Sequence, residues 1–130
     1  MKKIIPFLLS LLLLAGCASP AAQEASYRQI GMEEAMEIME NESDYIILDV
    51  RTAQEFSEKR IPGAINVPNE SIGTEEISEL PDKDQLILVY CRSGNRSKQA
   101  SEKLVKLGYT NIVEFGGIND WPGETLSDIQ

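Results

Sequence analysis

Leu86, Ile87, Leu88, Val89 and Tyr90 form an unbroken apolar run that stops at Cys91. A strand with one wet face alternates apolar and polar side chains. One covered on both faces reads as a continuous run, as in parallel α/β sheets. The neighbouring segments fit that setting. Met32, Ala35, Met36 and Met39 recur at helical spacing and predict a helix over 32–39, its methionines serving as core. Residues 41–44 read as a turn, 45–50 as a strand, 52–59 as a short polar helix anchored by Phe56, and 61–68 as a turn and short strand. A further short helix is expected over 75–80, stopped by Pro81. Ala100, Leu104 and Leu107 line one side of a helix over 97–107 that Gly108 caps. Residues 111–115 form a last strand. With 130 residues there is one core to build. The alternation predicts an α/β domain whose central, mainly parallel sheet is flanked by helices on both faces.

The amino terminus stands apart from this pattern. Lys2 and Lys3 precede an apolar stretch over 4–14, too short for the ~20 residues of a permanent membrane span. It reads as a secretory signal. Leu14-Ala15-Gly16-Cys17 resembles the lipobox of bacterial lipoproteins, which implies cleavage before Cys17 and lipidation of its sulfur. The rival reading is an ordinary signal peptide cut after Ala18 or Ala22, with Cys17 lost. The expected organisation is a lipoprotein signal peptide over 1–16, the lipidated Cys17 with its tether over 17–26, and a folded domain over 27–130. The domain would be exported and held on the extracytoplasmic face of a bacterial membrane by its lipid alone.

Losing Lys2 and Lys3 takes the 12 basic residues to 10 against 21 acidic ones, a net charge of −11. That surface repels nucleic acid and anionic headgroups, so neither is an expected partner. Anionic substrates would need local positive charge, and Arg92 and Arg96 supply it. With Cys17 lipidated, Cys91 is the one free thiol, and there is no histidine. A Cys/His zinc site and a Cys-His catalytic pair are both excluded. No metal and no cofactor are expected.

Cys91 ends the buried strand just before the next helix, where open α/β sheets place their ligands. In the loop that follows, Gly94 is free to take a positive φ. If Arg92, Ser93, Gly94, Asn95, Arg96 and Ser97 wrap the sulfur, the amides of Ser93 to Ser97 point inward and form an anion-binding nest. Making an ordinary thiol mostly thiolate at neutral pH takes ~2.7 kcal/mol of preference for the anion. Inward amides and two arginines suffice for that without a general base. The bland alternative, a cysteine buried as a small hydrophobe, fits poorly with such polar neighbours.

Four stretches in order resemble a single-domain rhodanese: ILDVRTAQEF over 47–56, IPGAINVP over 61–68, VYCRSGNRS over 89–97 and GGINDW over 116–121. The resemblance implies sulfur transfer. Cys91 thiolate would attack the outer sulfur of thiosulfate or a similar donor, release sulfite, and carry a persulfide to a thiol or cyanide acceptor. Residues 92–97 would bind the donor, and the protein would work as a monomer. Asp49 and Arg51 are expected to brace the neighbouring loops rather than to react, although Arg51 has a route to the pocket. One departure is visible: Lys59-Arg60 replaces the Gly-His that usually precedes the Ile-Pro-Gly-Ala turn.

Two other functions compete. A cysteine-dependent phosphatase or arsenate reductase would resemble Cys-x5-Arg, with arginine at position 97. Here Ser97 stands there and Arg96 comes one residue early, which suits a sulfur atom better than a phosphoryl group. A persulfide carrier or redox module without turnover would use the same loop, and the residues alone do not separate it from an enzyme.

Overall fold

A computed structural model describes residues 26–129; the signal segment, Cys17 and the tether as far as residue 25 lie outside them. The elements in chain order are β1 (Arg28–Gln29), α1 (Met32–Asn41), β2 (Tyr45–Asp49), α2 (Ala53–Glu58), β3 (Ile65–Asn66), β4 (Leu86–Cys91), α3 (Asn95–Lys106) and β5 (Ile112–Gly117). All strand pairs are parallel, in the order β1-β5-β4-β2-β3. After β2 the chain steps outward to β3, then returns across β2 to lay down β4 and β5 on the other side. The direction therefore reverses at the carboxyl ends of β2 and β4, where the crevice of such a sheet lies.

The unbroken run in β4 is explained by what covers it. Ile87, Val89 and Cys91 face one layer, with Leu48, Ala100 and Leu104. Leu88 and Tyr90 face the other, with Ala35 of α1, Ile61, Phe115 and Ile118. Leu48, Ile87, Leu88 and Leu104 have no exposed surface at all. Each such side chain contributes ~1.5–3 kcal/mol through removal from water. The core therefore fixes β4, and with it Cys91.

Three local expectations change. Residues 75–80 form turns rather than a helix. Ile77 and Leu80 are buried there, and the Leu80 amide bonds the Ile77 carbonyl. A single turn between bend residues and Pro81 does not repay helix nucleation. β1 had no sequence signal, because both of its residues are exposed. Helix α3 starts at Asn95, two residues before the expected 97. Its far end closes as foreseen: the Gly108 amide bonds the Val105 carbonyl and the Tyr109 amide bonds the Leu104 carbonyl. That is the paired Schellman arrangement.

Candidate active site

Cys91 closes β4 with 1% of its surface exposed. Gly94, at φ +115, turns the chain into α3. This left-handed conformation strains any residue with a Cβ. The turn brings the Gly94 N–H to 3.0 Å from the Cys91 Sγ. The Cys91 S–H donates to Ser97 Oγ at 3.4 Å. Gly94 is the one amide of the expected nest that bonds the sulfur. The amides of Asn95, Arg96 and Ser97 open α3 and have no earlier carbonyl within the helix. They give the sulfur the positive end of a 12-residue helix.

The other loop residues separate into three groups. Arg92, Ser93 and Asn95 are exposed. Ser97 is fully buried, its Oγ near the Gly94 carbonyl (2.9 Å), a Glu114 carboxylate oxygen (2.7 Å) and the Gly116 carbonyl (3.4 Å). It supports the thiol from below and does not face the entrance. Arg96 lies in a two-pronged ion pair with Glu55, at 2.7 and 3.0 Å. Its charge is matched, so it ties α2 to the cysteine loop instead of standing open to an anion. Arg92 is the loop's unpaired cation, and with Arg51, Lys59, Glu55 and Asn119 it lines a cleft of about 280 Å³. Lys59, half of the pair that departs from the rhodanese pattern, is thus part of that wall.

Asp49 and Arg51 sit at the end of β2, fully buried and 4% exposed respectively. Arg51 donates from Nε and from a terminal nitrogen to both Asp49 oxygens, and also to the Lys59 carbonyl. Asn66 donates to the Asp49 and Arg51 carbonyls. These charge-assisted bonds fix the β2–α2 and α2–β3 connections around the site. Arg51 also lines the cleft.

Two glutamates belong to the site that sequence reasoning did not single out. Glu55 completes a capping box with Thr52 and holds Arg96; Thr52-x-x-Glu55 is the signal that was available. The Arg96 guanidinium holds the Glu55 carboxyl down at about 2, from an ordinary 4.5. A lowered carboxyl stabilises the fold fully above its unfolded value, and loses that effect as pH falls through its folded value. Glu55→Gln is therefore expected to cost about 1 kcal/mol at neutral pH, discounted for its partial exposure. The cost should shrink between about pH 4.5 and 2, and urea unfolding of both proteins across that range measures it. The second is Glu114, 3% exposed, a charged residue in an otherwise apolar strand.

The end of β5 is irregular where it passes Cys91. Val89 pairs with Glu114 and Cys91 with Gly117, so β5 carries one extra residue there. Bulges of this kind re-aim side chains beside active sites. Gly117 lies so close to the loop that a Cβ on it would stand 2.0 Å from the Arg92 carbonyl oxygen.

The thiol is buried at a strand end and seated by a glycine turn at a helix amino terminus. Residues 32–124 match the family described as rhodanese-like domain. The chain belongs to the rhodanese family. Among rhodanese relatives, the thiosulfate sulfurtransferase PspE of Escherichia coli is 36% identical over 73 residues, 56% of this chain and 70% of that protein. A sulfurtransferase of Allochromatium vinosum is 35% identical over 94 residues, 72% of this chain and 86% of that one. The adenylyltransferase and sulfurtransferase UBA4 of Candida albicans is 35% identical, but the chain spans only 23% of its length. Among solved structures, an Escherichia coli rhodanese with anions superposes with a TM-score of 0.58 at 33% identity, over 64% of this chain and 98% of that one. A rhodanese-like domain from Anabaena gives 0.69 at 27% identity, over 76% of this chain and 78% of that one. Residues 1–18 match a prokaryotic membrane lipoprotein lipid attachment site, in keeping with the lipobox. Among the described residues no helix is long and apolar enough to cross a membrane.

Proposed function

We propose that this chain, a rhodanese-type sulfurtransferase, moves sulfane sulfur from thiosulfate or a related anion to a thiol, through a persulfide on Cys91. The observation that carries this reading is the seat of the sulfur. A Gly94 N–H stands 3.0 Å from Cys91 Sγ at the start of α3, and an anion on that sulfur would be stabilised there without a histidine. Cys91 thiolate attacks the outer sulfur of thiosulfate. The S–S bond of the donor breaks, and sulfite departs with the bonding pair. The new terminal sulfur carries the negative charge, next to the amides of residues 94–97. A thiolate acceptor then takes that sulfur and regenerates Cys91. Arg92 and Lys59, on the wall of the adjoining cleft, would draw in the dianionic donor. Ser93 and Asn95 would complete the mouth, and Arg96 would hold the loop through Glu55.

Ser97 weighs against phosphoryl chemistry. A Cys-x5-Arg enzyme needs a guanidinium at that position, and here a fully buried hydroxyl bonds the cysteine itself. Steady-state assays on the soluble domain test the choice. Turnover of thiosulfate and cyanide is expected, with no cleavage of aryl phosphates; the opposite pair of results would overturn the reading. A single persulfide per protein without turnover would make the chain a carrier instead.

The mature protein would begin at lipidated Cys17, with 17–26 as tether and 27–130 as the catalytic domain outside the cytoplasmic membrane. Cys17→Ser is expected to shift the protein from the membrane fraction to the soluble fraction, since stable anchoring needs the acyl chains. Unchanged membrane retention on cell fractionation would contradict the anchor.

A further inference from the structure

The cleft beside Cys91 has two walls of unequal firmness. One is Arg92 with Ile118 and Asn119; Ile118 is buried, and the Asn119 N–H bonds the Arg92 carbonyl. The other is Glu55, Glu58 and Lys59, on α2 and its carboxyl end. None of the six residues of α2 is buried. Removal of apolar surface from water, the main force that fixes an element, therefore does little to hold this wall. A helix this short does not persist on its own backbone bonds either. Polar ties have to position it. Two come from the site itself: the Glu55–Arg96 ion pair and the bond from Arg51 to the Lys59 carbonyl.

The other ties come from the carboxyl-terminal segment. Trp121 packs against the core layer of Ile61 and Tyr90, and its indole N–H donates to the Glu124 carbonyl at 2.9 Å. Gly123 lies against that ring, where a Cβ would stand 2.9 Å from it. From this turn the chain runs antiparallel past residue 60. Arg60 and Leu126 exchange both backbone bonds, each at 2.9 Å, and the Asp128 N–H donates to the Ser57 carbonyl at 2.8 Å. The Arg60 guanidinium completes the clamp. It lies over the Phe56 ring at 4.8 Å and donates to the Phe56 carbonyl at 3.3 Å and to the Asp128 carboxylate at 2.8 Å. Arg60 belongs to the Lys59-Arg60 pair that departs from the rhodanese pattern. A histidine there lacks the forked donors for these contacts.

Residues 121–128 thus start beside the firm wall and end bonded to the loose one. We propose that this strap, locked by Arg60, sets the width of the cleft and so selects the sulfur donor by size. With the strap in place, Lys59 and Arg92 line one cleft of about 280 Å³ and act together on a small dianion. With it released, the end of α2 moves outward, the two cations separate, and bulkier donors gain entry. Arg60 and Asp128 touch no donor; they are positioning residues that act through Lys59, the neighbour of Arg60 in the chain. Donor selection rests on the sulfur-transfer reading, whereas access to Cys91 does not.

Two variants open the strap from its two sides: Arg60→Ala, and a chain ended after Thr125, which keeps Arg60 and the Trp121–Glu124 bond. Either serves if the other fails to fold. Thiosulfate is compared with the bulkier benzenethiosulfonate, which gives up its outer sulfur and departs as benzenesulfinate, with cyanide as acceptor. In both variants KM for thiosulfate should rise about fivefold or more with kcat nearly unchanged, the mark of lost donor binding. The preference for thiosulfate, as a ratio of kcat/KM values, should fall by about tenfold. Combining the two changes should add little, since both undo one clamp. Arg60→Lys, which keeps a cation for Phe56 and Asp128, should recover part of the preference. Alkylation of Cys91 by iodoacetamide and by the larger N-phenylmaleimide reads access without any sulfur donor, and the maleimide should gain on iodoacetamide in both variants. A fall in kcat alone, or an unchanged donor preference with an unchanged alkylation ratio, would overturn the strap. Turnover of neither donor by the wild type, with the alkylation ratio still shifted in the variants, would leave the strap intact and overturn the sulfur-transfer reading. Wild-type turnover with neither ratio moved would do the reverse.

Discussion

Cys91→Ser is expected to abolish persulfide formation and to lower thiosulfate:cyanide turnover by a factor on the order of 10³ or more. Removal of an enzyme's covalent nucleophile has effects at least this large. The serine hydroxyl would occupy the same seat, below the Gly94 amide and beside Ser97. It is smaller than sulfur and almost never ionised at neutral pH, so nothing remains to attack a sulfur donor. The fold should survive, because the substitution keeps the small volume and leaves a hydroxyl that Ser97 can accept from. Wild-type-like thermal unfolding combined with lost turnover assigns the defect to chemistry. Retained turnover would mean that another group carries the sulfur.

Gly117→Ala should be the most damaging of the glycine substitutions. Its Cβ would lie 2.0 Å from the Arg92 carbonyl oxygen, 2.3 Å from the Arg92 carbonyl carbon and 2.6 Å from the Ser93 nitrogen. All three are backbone atoms in the first turn of the cysteine loop, and they cannot swing aside as a long side chain can. The Arg92 carbonyl is also held by the Asn119 N–H at 3.2 Å. Either β5 separates from the end of β4 or the loop lifts from its seat, and both displace Gly94 from Cys91. Forcing bulk into such a contact costs about 1–3 kcal/mol, which lowers the melting temperature of a domain this size by roughly 4 °C or more. Turnover should fall by at least about tenfold, since misplacement by 1 Å can cost 10²-fold. Gly73→Ala is the matched control, because a Cβ there meets nothing within 4 Å. Equal melting temperatures and activities for the two variants would refute the close approach as a constraint on the site.

The parts of this arrangement that rest on local chemistry were readable from the residues. The unbroken apolar run of β4 declared a strand covered on both faces, and Cys91 at its end, with a glycine three residues later, marked the crevice. The Asp49–Arg51 pair was readable too, since its members are two residues apart at a strand end. What escaped depended on distant partners. Glu55 and Arg96 are 41 residues apart in sequence and meet only because β2 and β4 are neighbours in the sheet. Glu114 meets Ser97 of α3, 17 residues away, and its other partner, the Gly116 amide, lies at a bulge that appears only once β5 is paired with β4. The misplaced helix over 75–80 has the same origin: Ile77 and Leu80 are spaced alike whether they bury one face of a helix or the inside of a single turn. Three-residue spacing alone does not distinguish them.

Sulfur transfer through Cys91 is most directly tested by intact-protein mass spectrometry after treatment with thiosulfate, followed by cyanide. The wild-type domain should gain the mass of one sulfur atom, mapped to the peptide containing Cys91, and should lose it on adding cyanide as thiocyanate appears. Cys91→Ser should gain nothing. An unmodified wild-type protein, or an added sulfur that persists in Cys91→Ser, would contradict a Cys91 persulfide.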